Sequence, residues 1–200
     1  MQDTVSTQDE LTARNGIYRL LGLLWREELS EALLVELRSP EVHAAFESVG
    51  LHLPRPESEV VSELAIDYCQ LFVGPKGHLP PYQSVWQNGQ LCGDATASMT
   101  RFIEVGRYEV THLSNGQFVD HFGVQLDLMA HLLKQLASCK AAEKETIAEV
   151  IAAYANNHLR WPSQLLEQIV PKAKTEFYGS LATATQEFLK HDLASLPSHS

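Results

Sequence analysis

The sequence predicts an all-α protein that folds as a single helical bundle of about nine or ten helices. Apolar residues recur at steps of three and four along most of its 200 residues, which is the period of an amphipathic helix. The composition is 44 % hydrophobic and 20 % charged, enough apolar material for a packed core. We expect the bundle to span residues 1–195 and residues 196–200 to form a frayed tail.

Capping residues indicate where the helices of the first half begin. A serine or threonine side chain accepts hydrogen bonds from first-turn amides, and proline suits the first helical position. These signals predict helix starts at Thr7, Ser30, Ser39-Pro40 and Ser58. The first helix is expected to end near Glu27, and Gly74-Pro75 is expected to end the helix that Ser58 begins.

Residues 74–93 are rich in glycine and proline yet carry several large apolar side chains, which predicts an ordered loop packed on helices. The following helices are predicted from Asp94 to Gly106, Phe118 to Ser138, Ala141 to His158 and Thr175 to Leu193, with a short one after Trp161-Pro162. The stretch YEVTHLSNG is expected to be irregular or a short extended segment. The 118–138 helix is apolar on two faces and should be central.

The charge balance restricts the possible partners. A formal charge of −10 disfavours nucleic acid and anionic membranes, whose binding relies on clustered Lys and Arg. An acidic surface suits a basic partner or serves solubility alone. Three cysteines at unrelated spacings, a polar N-terminus and no long apolar run predict a reduced cytoplasmic protein without membrane insertion.

One combination of residues raises the alternative of a metal-dependent helical-bundle enzyme. Asp120, Asp127 and His131 share one stripe of the 118–138 helix and could bind a divalent ion or act as acid and base. A solvated helix face has the same composition, and neither HExxH nor a paired ExxH pattern is present. No cofactor or metal is therefore expected.

Two motifs stand out from this background. In ELAIDYCQLFVGPKGHLPPYQSVW, a helix ends abruptly and leads into a loop stiffened by Pro80 and Pro81, with Tyr82, Ser84 and Trp86 behind them. Such aromatic side chains either complete the core or capture a peptide, since Tyr and Trp offer large contact area at low entropy cost.

The second motif, Asp120-His121-Phe122-Gly123, lies at the start of the central helix. Asp120 near a helix N-terminus is favourable on structural grounds, and His121 could fill a boundary position. A functional interpretation is also open: Asp120 pairs with a guanidinium on an exposed peptide site, and His121, close to its ordinary titration range, adds a switchable donor.

Taken together, these stretches resemble the TorD/DmsD family of redox-enzyme maturation chaperones. The matching pieces, in the family's order from about residue 63 to 189, are DYCQLFVGP, PPYQSVW, LCGDAT, DHFGVQLDLMAHL, HLRW and FYGSLATATQEFL. The chain departs from the family in having Gln117, Phe118 and Val119 where acidic residues often stand. Its HLRW is one residue shorter than the expected HLxxW, so Trp161 lies one position closer to His158 than the family's pattern places its tryptophan.

The resemblance implies an all-helical cytoplasmic chaperone that is not an enzyme. Such a protein binds the twin-arginine signal peptide and the apo form of a molybdopterin oxidoreductase until the cofactor is inserted, before export. It would be a monomer or, through its proline-containing connectors, a segment-swapped dimer. The peptide-binding residues that the resemblance implies are Leu71, Phe72, Pro81, Tyr82, Ser84, Trp86, Asp120 and His121.

Overall fold

The computed structural model describes residues 2–110, 118–194 and 196, and the all-α prediction is confirmed. Its α-helices are α1 (Gln2–Arg26), α2 (Glu31–Glu36), α3 (Pro40–Ser48), α4 (Ser58–Tyr68), α5 (Gln83–Asn88), α6 (Asp94–Val105), α7 (Phe122–Ser138), α8 (Lys144–His158), α9 (Pro162–Ile169) and α10 (Glu176–Ala194). A π-helical turn, Cys69–Val73, follows α4, and a 3₁₀ turn, Ala141–Glu143, precedes α8. The described residues contain no strand.

Most predicted helix starts lie close to the observed ones. Ser30 caps α2, with its hydroxyl accepting a hydrogen bond from the Leu33 amide at 3.2 Å, and Pro40 is the first residue of α3. Ser58 is itself the first residue of α4. The start predicted at Thr7 is wrong, because α1 already begins at Gln2.

The predicted loop over residues 74–93 contains a helix that the sequence pattern did not indicate. This helix, α5, has six residues and ends at Gly89, which has a φ of 72° in the left-handed region. The central helix α7 begins at Phe122, four residues later than predicted. Part of YEVTHLSNG, residues 111–116, lies outside the described residues, as does most of the predicted tail.

The chain divides into two compact units. The first unit is built from residues 1–26, 82–160 and 193–200, and the second from residues 27–81 and 161–192. The prediction of a single domain over residues 1–195 stays a prediction. No helix in the described part of the chain is long and apolar enough to cross a membrane.

Helix α7 is the centre of the first unit, as predicted. Ten of its residues are buried, and its most extensive neighbour is α1. The two helices approach closely where Gly22 faces Gly123: a Cβ added to Gly123 would lie 2.7 Å from the Gly22 carbonyl oxygen. One turn further along α1, Arg26 donates to Asp127 at 2.7 Å.

The second unit is organised around the joint between α4 and α10. The rings of Tyr68, Phe72 and Tyr178 pack together with centroid separations of 5.1–6.1 Å. Asp67, only 1 % exposed, accepts hydrogen bonds through Oδ2 from the amides of Lys174 and Thr175, just before α10 begins. A buried carboxylate from α4 thereby fixes the entry into α10.

Candidate peptide-binding site

The first unit brings together the two motifs that the sequence analysis singled out. Tyr82 and His121 form an isolated antiparallel bridge, and the Gln83 amide donates to the Asp120 carbonyl oxygen at 3.2 Å. The segment that enters α5 thus lies beside the segment that enters α7. Four of the predicted site residues, Tyr82, Ser84, Asp120 and His121, meet at this junction.

The Asp120 carboxylate is the most unusual group at the junction. It is fully buried, and its Oδ2 accepts hydrogen bonds from the Ser84 amide at 3.0 Å and the Ser84 hydroxyl at 2.6 Å. Its Oδ1 is also buried and has no hydrogen-bond partner among the described residues. A buried carboxylate oxygen without a donor is costly, so this atom has a strong preference for a hydrogen-bond donor.

His121 acts as the cap of α7 and is only 2 % exposed. Its Nδ1 accepts a hydrogen bond from the Gly123 amide at 3.1 Å, which requires that nitrogen to be unprotonated. Burial lowers the pKa of His121 to about 4, and the positive charge of Arg26 adds to the decrease while Asp120 opposes it. The imidazole is therefore neutral near pH 7, and the expected switch near its ordinary pKa is wrong.

Three aromatic side chains of the two segments that meet here are partly exposed: Tyr82, Trp86 and Phe118. The Tyr82 ring meets the His121 ring edge-on at 5.1 Å and the Phe118 ring at 6.2 Å. Burial raises the pKa of Tyr82, and the negative charge of Asp120 raises it further. These rings form the accessible part of the candidate site.

The expectation that Asp120 and His121 line an exposed surface is wrong. Both side chains are buried, because one receives the Ser84 hydrogen bonds and the other caps α7. Tyr82 and Trp86 remain partly exposed, in keeping with the expectation for them. The site therefore has an aromatic rim with a buried polar floor.

Sequence reasoning missed a buried polar network that holds α5 in place. Gln83 donates to the Asn157 carbonyl oxygen at 2.8 Å, and its own Oε1 accepts from Gln125 Nε2 at 2.6 Å and from His158 Nδ1 at 2.8 Å. His158 Nε2 in turn accepts from the Ser98 hydroxyl at 3.0 Å. Burial lowers the pKa of His158 to about 4, despite the opposing charge of Asp120.

One sequence signal could have revealed this network. Gln125 is a polar residue between Val124 and Leu126 on a helix that is otherwise apolar there, and a buried amide must find partners. Its partner Gln83 lies 42 positions away along the chain. That pairing depends on the tertiary fold.

The remaining predicted site residues belong to the second unit. Leu71 and Phe72 are 2 % and 8 % exposed and lie in the π-helical turn, where the Leu71 carbonyl oxygen accepts from the Leu79 amide at 2.6 Å. Pro81 is buried at the end of the same connector, and Trp161 is 9 % exposed. Their part in peptide binding stays a prediction.

The alternative metal site is not formed. Asp127 pairs with Arg26, and His131 donates from Nε2 to the Gly106 carbonyl oxygen at 2.8 Å. No group of three His, Cys, Asp or Glu side chains in the described ranges has the arrangement of a metal site. The stripe seen in the sequence is used instead for contacts of α7 with its neighbours.

A family model described as nitrate reductase delta subunit matches residues 36–167 of the chain. The chain belongs to this family. Curated relatives of the chain are named chaperone protein TorD, which confirms the resemblance. No solved structure matches the chain.

Two of these relatives are aligned over nearly their whole length. The protein of Shewanella sp. strain ANA-3 is 28 % identical, covering 96 % of this chain and 98 % of the relative. The protein of Shewanella pealeana is 26 % identical, covering 98 % and 95 %. A third, from Ferrimonas balearica, is 31 % identical over 65 % of this chain and 58 % of its own.

Because these relatives are named chaperones, the prediction that the chain is not an enzyme is confirmed, and the alternative of a metal-dependent enzyme is wrong. Membership of the family supports a chaperone for redox-enzyme maturation.

Proposed function

We propose that the protein is a cytoplasmic chaperone that binds the twin-arginine signal peptide of a molybdopterin oxidoreductase. It would hold the apo enzyme until its cofactor is inserted and release it for export. The signal peptide binds at the junction of the segments around Tyr82 and Asp120. The observation that carries this proposal is the buried Oδ1 of Asp120, which has no hydrogen-bond donor among the described residues and belongs to the junction where Tyr82 and Phe118 are partly exposed.

Arginine is the ligand group that suits this carboxylate best. Its guanidinium donates several hydrogen bonds and is more weakly hydrated than an ammonium ion, so it tolerates burial beside a carboxylate. The formal charge of −10 attracts a basic peptide from a distance. Neutral His121 adds no positive charge near pH 7 that would repel the incoming arginine.

The aromatic rim suits the rest of a signal peptide. Tyr82, Phe118 and Trp86 offer ring faces for a guanidinium and apolar area for the hydrophobic region that follows the two arginines. We expect the Tyr82 side chain, which is partly exposed and packs on Phe118, to rotate when the peptide reaches Asp120. Surface side chains rotate this way on fast timescales, so the access step does not require unfolding.

Leu71, Phe72 and Pro81 contribute indirectly in this proposal. The Leu71 carbonyl oxygen accepts from the Leu79 amide at 2.6 Å, and the Phe72 ring packs on Tyr68 and Tyr178. These contacts fix the connector that follows α4. We expect them to matter for stability more than for direct peptide contact.

The test is isothermal titration calorimetry with synthetic twin-arginine signal peptides of trimethylamine oxide and dimethyl sulfoxide reductases. Asp120→Asn keeps the size of the side chain and an oxygen that accepts from Ser84, but it removes the charge. A charge-assisted hydrogen bond is worth about 1.5–3 kcal/mol, so we expect peptide affinity to fall roughly 10- to 100-fold. Replacing both peptide arginines by alanine should abolish the difference between the parent protein and the variant.

Asp67→Asn is a matched control. Asp67 is equally buried, accepts hydrogen bonds through Oδ2 from backbone amides and the Thr175 hydroxyl, and has an Oδ1 without a partner among the described residues. Circular dichroism should show similar losses of stability for both variants. Only Asp120→Asn should weaken signal-peptide binding. Equal affinity for a scrambled peptide, or equal losses in both variants, would overturn the proposal.

A further inference from the structure

Two adjoining cavities flank the start of α10 in the second unit. One, of about 480 Å³, has apolar walls formed by Leu53, Val60, Leu64 and Phe177. The other, of about 490 Å³, is lined by small side chains, including those of Ala173, Thr183 and Ala184, and by Glu187. Both are lined by Lys174, Thr175, Glu176 and Ser180, so the two cavities adjoin at the start of α10, and we name them together the α10 groove.

The α10 groove takes six of its lining residues, among them Gly179, from FYGSLATATQEFL, a family-like motif that the proposed signal-peptide site does not use. Gly179 of this motif leaves the groove open. A Cβ added there would meet nothing closer than the Ala173 Cβ at 3.9 Å, so neither close packing nor the backbone conformation requires glycine. Glycine inside a helix costs about 1 kcal/mol relative to alanine, so the open space comes at the expense of helix stability.

The charge of the groove is negative. Three glutamates line it, Glu63, Glu176 and Glu187, against the single lysine Lys174. Directly behind the residues that the two cavities share, the carboxylate of Asp67 accepts from the Lys174 and Thr175 amides at 3.0 and 2.7 Å. Its buried Oδ1 has no hydrogen-bond partner in the described part of the chain.

We propose that the α10 groove binds an extended polypeptide segment in which an aliphatic side chain and an arginine or lysine are three residues apart. The aliphatic side chain enters the apolar cavity, and the cation lies in the cavity of Glu187. The residues of the α10 groove differ from those of the proposed signal-peptide site, and binding in the groove does not require a peptide at that site. A natural occupant of this chemistry is a second region of a client protein.

The spacing follows from the geometry of α10. Phe177 lines only the apolar cavity and Thr183 lines only the other one. Six residues of helix at 1.5 Å each separate them by about 9 Å along the axis. An extended peptide advances about 3.3 Å per residue, so three residues cover that distance.

The experiment is NMR titration of the ¹⁵N-labelled full-length protein with the peptide acetyl-Arg-Gly-Ser-Leu-Gly-Ser-Arg-amide, which has the correct spacing in both directions. Saturable amide shifts are expected at Gly179, Ser180 and Glu187. A peptide with glutamate in place of both arginines, or with serine in place of leucine, should bind at least about tenfold more weakly in the same titration.

Two pairs of variants separate the groove from general effects. Gly179→Leu fills the groove and should lower the affinity for the probe about tenfold, whereas Gly16→Leu, at an exposed helical glycine of α1 with open space around it, should not. Glu187→Lys should weaken binding several-fold, the range of a solvent-exposed ion pair, and Glu149→Lys on the exposed face of α8 should not.

Several results would overturn the proposed binding of a peptide in the α10 groove. Absence of saturable shifts, shifts confined to the Tyr82 and Asp120 region, or equal binding by Gly179→Leu and the parent would overturn the proposal. Shifts at Gly179 that grow with protein concentration alone would also overturn it, since the occupant would then be a second copy of the chain. Gly179→Leu should leave signal-peptide affinity unchanged, so this proposal and the proposed function fail by different results.

Discussion

Replacing Gly123 by alanine is expected to destabilise the protein, although alanine is the better helix former. Gly123 is the second residue of α7 and lies where α1 crosses it. An alanine Cβ would lie 2.7 Å from the Gly22 carbonyl oxygen, 2.9 Å from the Arg26 Cβ and 2.9 Å from the Arg26 amide nitrogen. Two of these three atoms are backbone, so they cannot move without displacing α1.

The magnitude follows from the competition between crowding and helix propensity. Inserting a methyl group into a well-packed contact costs about 1–3 kcal/mol, occasionally more. Replacing glycine by alanine stabilises a helix interior by up to about 1 kcal/mol through its higher helix propensity. The gain is smaller at the second position of a helix, where few intrahelical bonds are formed. We therefore expect Gly123→Ala to lower the free energy of unfolding by about 1–3 kcal/mol, or the melting temperature by roughly 2–12 °C.

Gly16→Ala is expected to change the stability in the opposite direction. Gly16 is an exposed glycine inside α1, and an added Cβ would meet nothing within 4 Å. Only the helix-propensity gain applies there, so stability should rise by up to about 1 kcal/mol. Thermal melts followed by circular dichroism and urea titrations of the full-length protein measure both changes.

The close approach of α1 and α7 would be refuted if Gly123→Ala were as stable as the parent or more stable. The same conclusion would follow if Gly16→Ala and Gly123→Ala changed stability by the same amount. A loss in Gly123→Ala together with a gain in Gly16→Ala would confirm that the glycine of the DHFG motif is required by the helix crossing.

Two further predictions concern the first unit. Leu126→Ala and Met129→Ala, both fully buried on α7, should each lower the free energy of unfolding by roughly 2–5 kcal/mol in urea titrations, and a loss below about 1 kcal/mol would contradict the central place of α7. The pKa values of His121 and His158 are lowered to about 4 from an ordinary 6.5, so the unfolded chain binds more protons between these values. Their stabilising contribution is complete above pH 6.5 and is lost as the pH falls towards 4, by about 1 kcal/mol each between pH 7.5 and 5.5. Urea titrations of His158→Gln should show a smaller decrease over that range, and an unchanged pH dependence would contradict the burial of a neutral imidazole.

The helices with clear capping or periodic signals were predictable from the sequence. Ser30 and Pro40 mark the starts of α2 and α3, and the apolar residues of α7 predict its central position. Helix α5 was not predictable in the same way. Its six residues, QSVWQN, lie between prolines and a glycine, and they are too few to show a helical period. Contacts of Gln83 with α7 and α8 stabilise this short helix instead.

The candidate site was likewise predictable from the sequence only in part. The sequence indicated Tyr82, Ser84, Asp120 and His121 through two motifs, and the structure places them at one junction. Burial of Asp120 and His121 was not predictable, because whether a polar side chain faces solvent or the core depends on which segment packs over it. The shift of the His121 pKa to about 4 follows from that burial and from Arg26 on α1, which is 95 positions away.

The sequence by itself determined the helical class, the central role of α7 and the absence of a catalytic or metal-binding pattern, because these depend on residue type and on spacing within one segment. The tertiary structure decided the rest. It joined Ser84 to Asp120 across 36 positions, left one oxygen of that carboxylate without a donor among the residues that the structure describes, and opened a groove beside Gly179. Such features arise from groups far apart in the chain, and the free energy of a buried charge depends on which of them meet it.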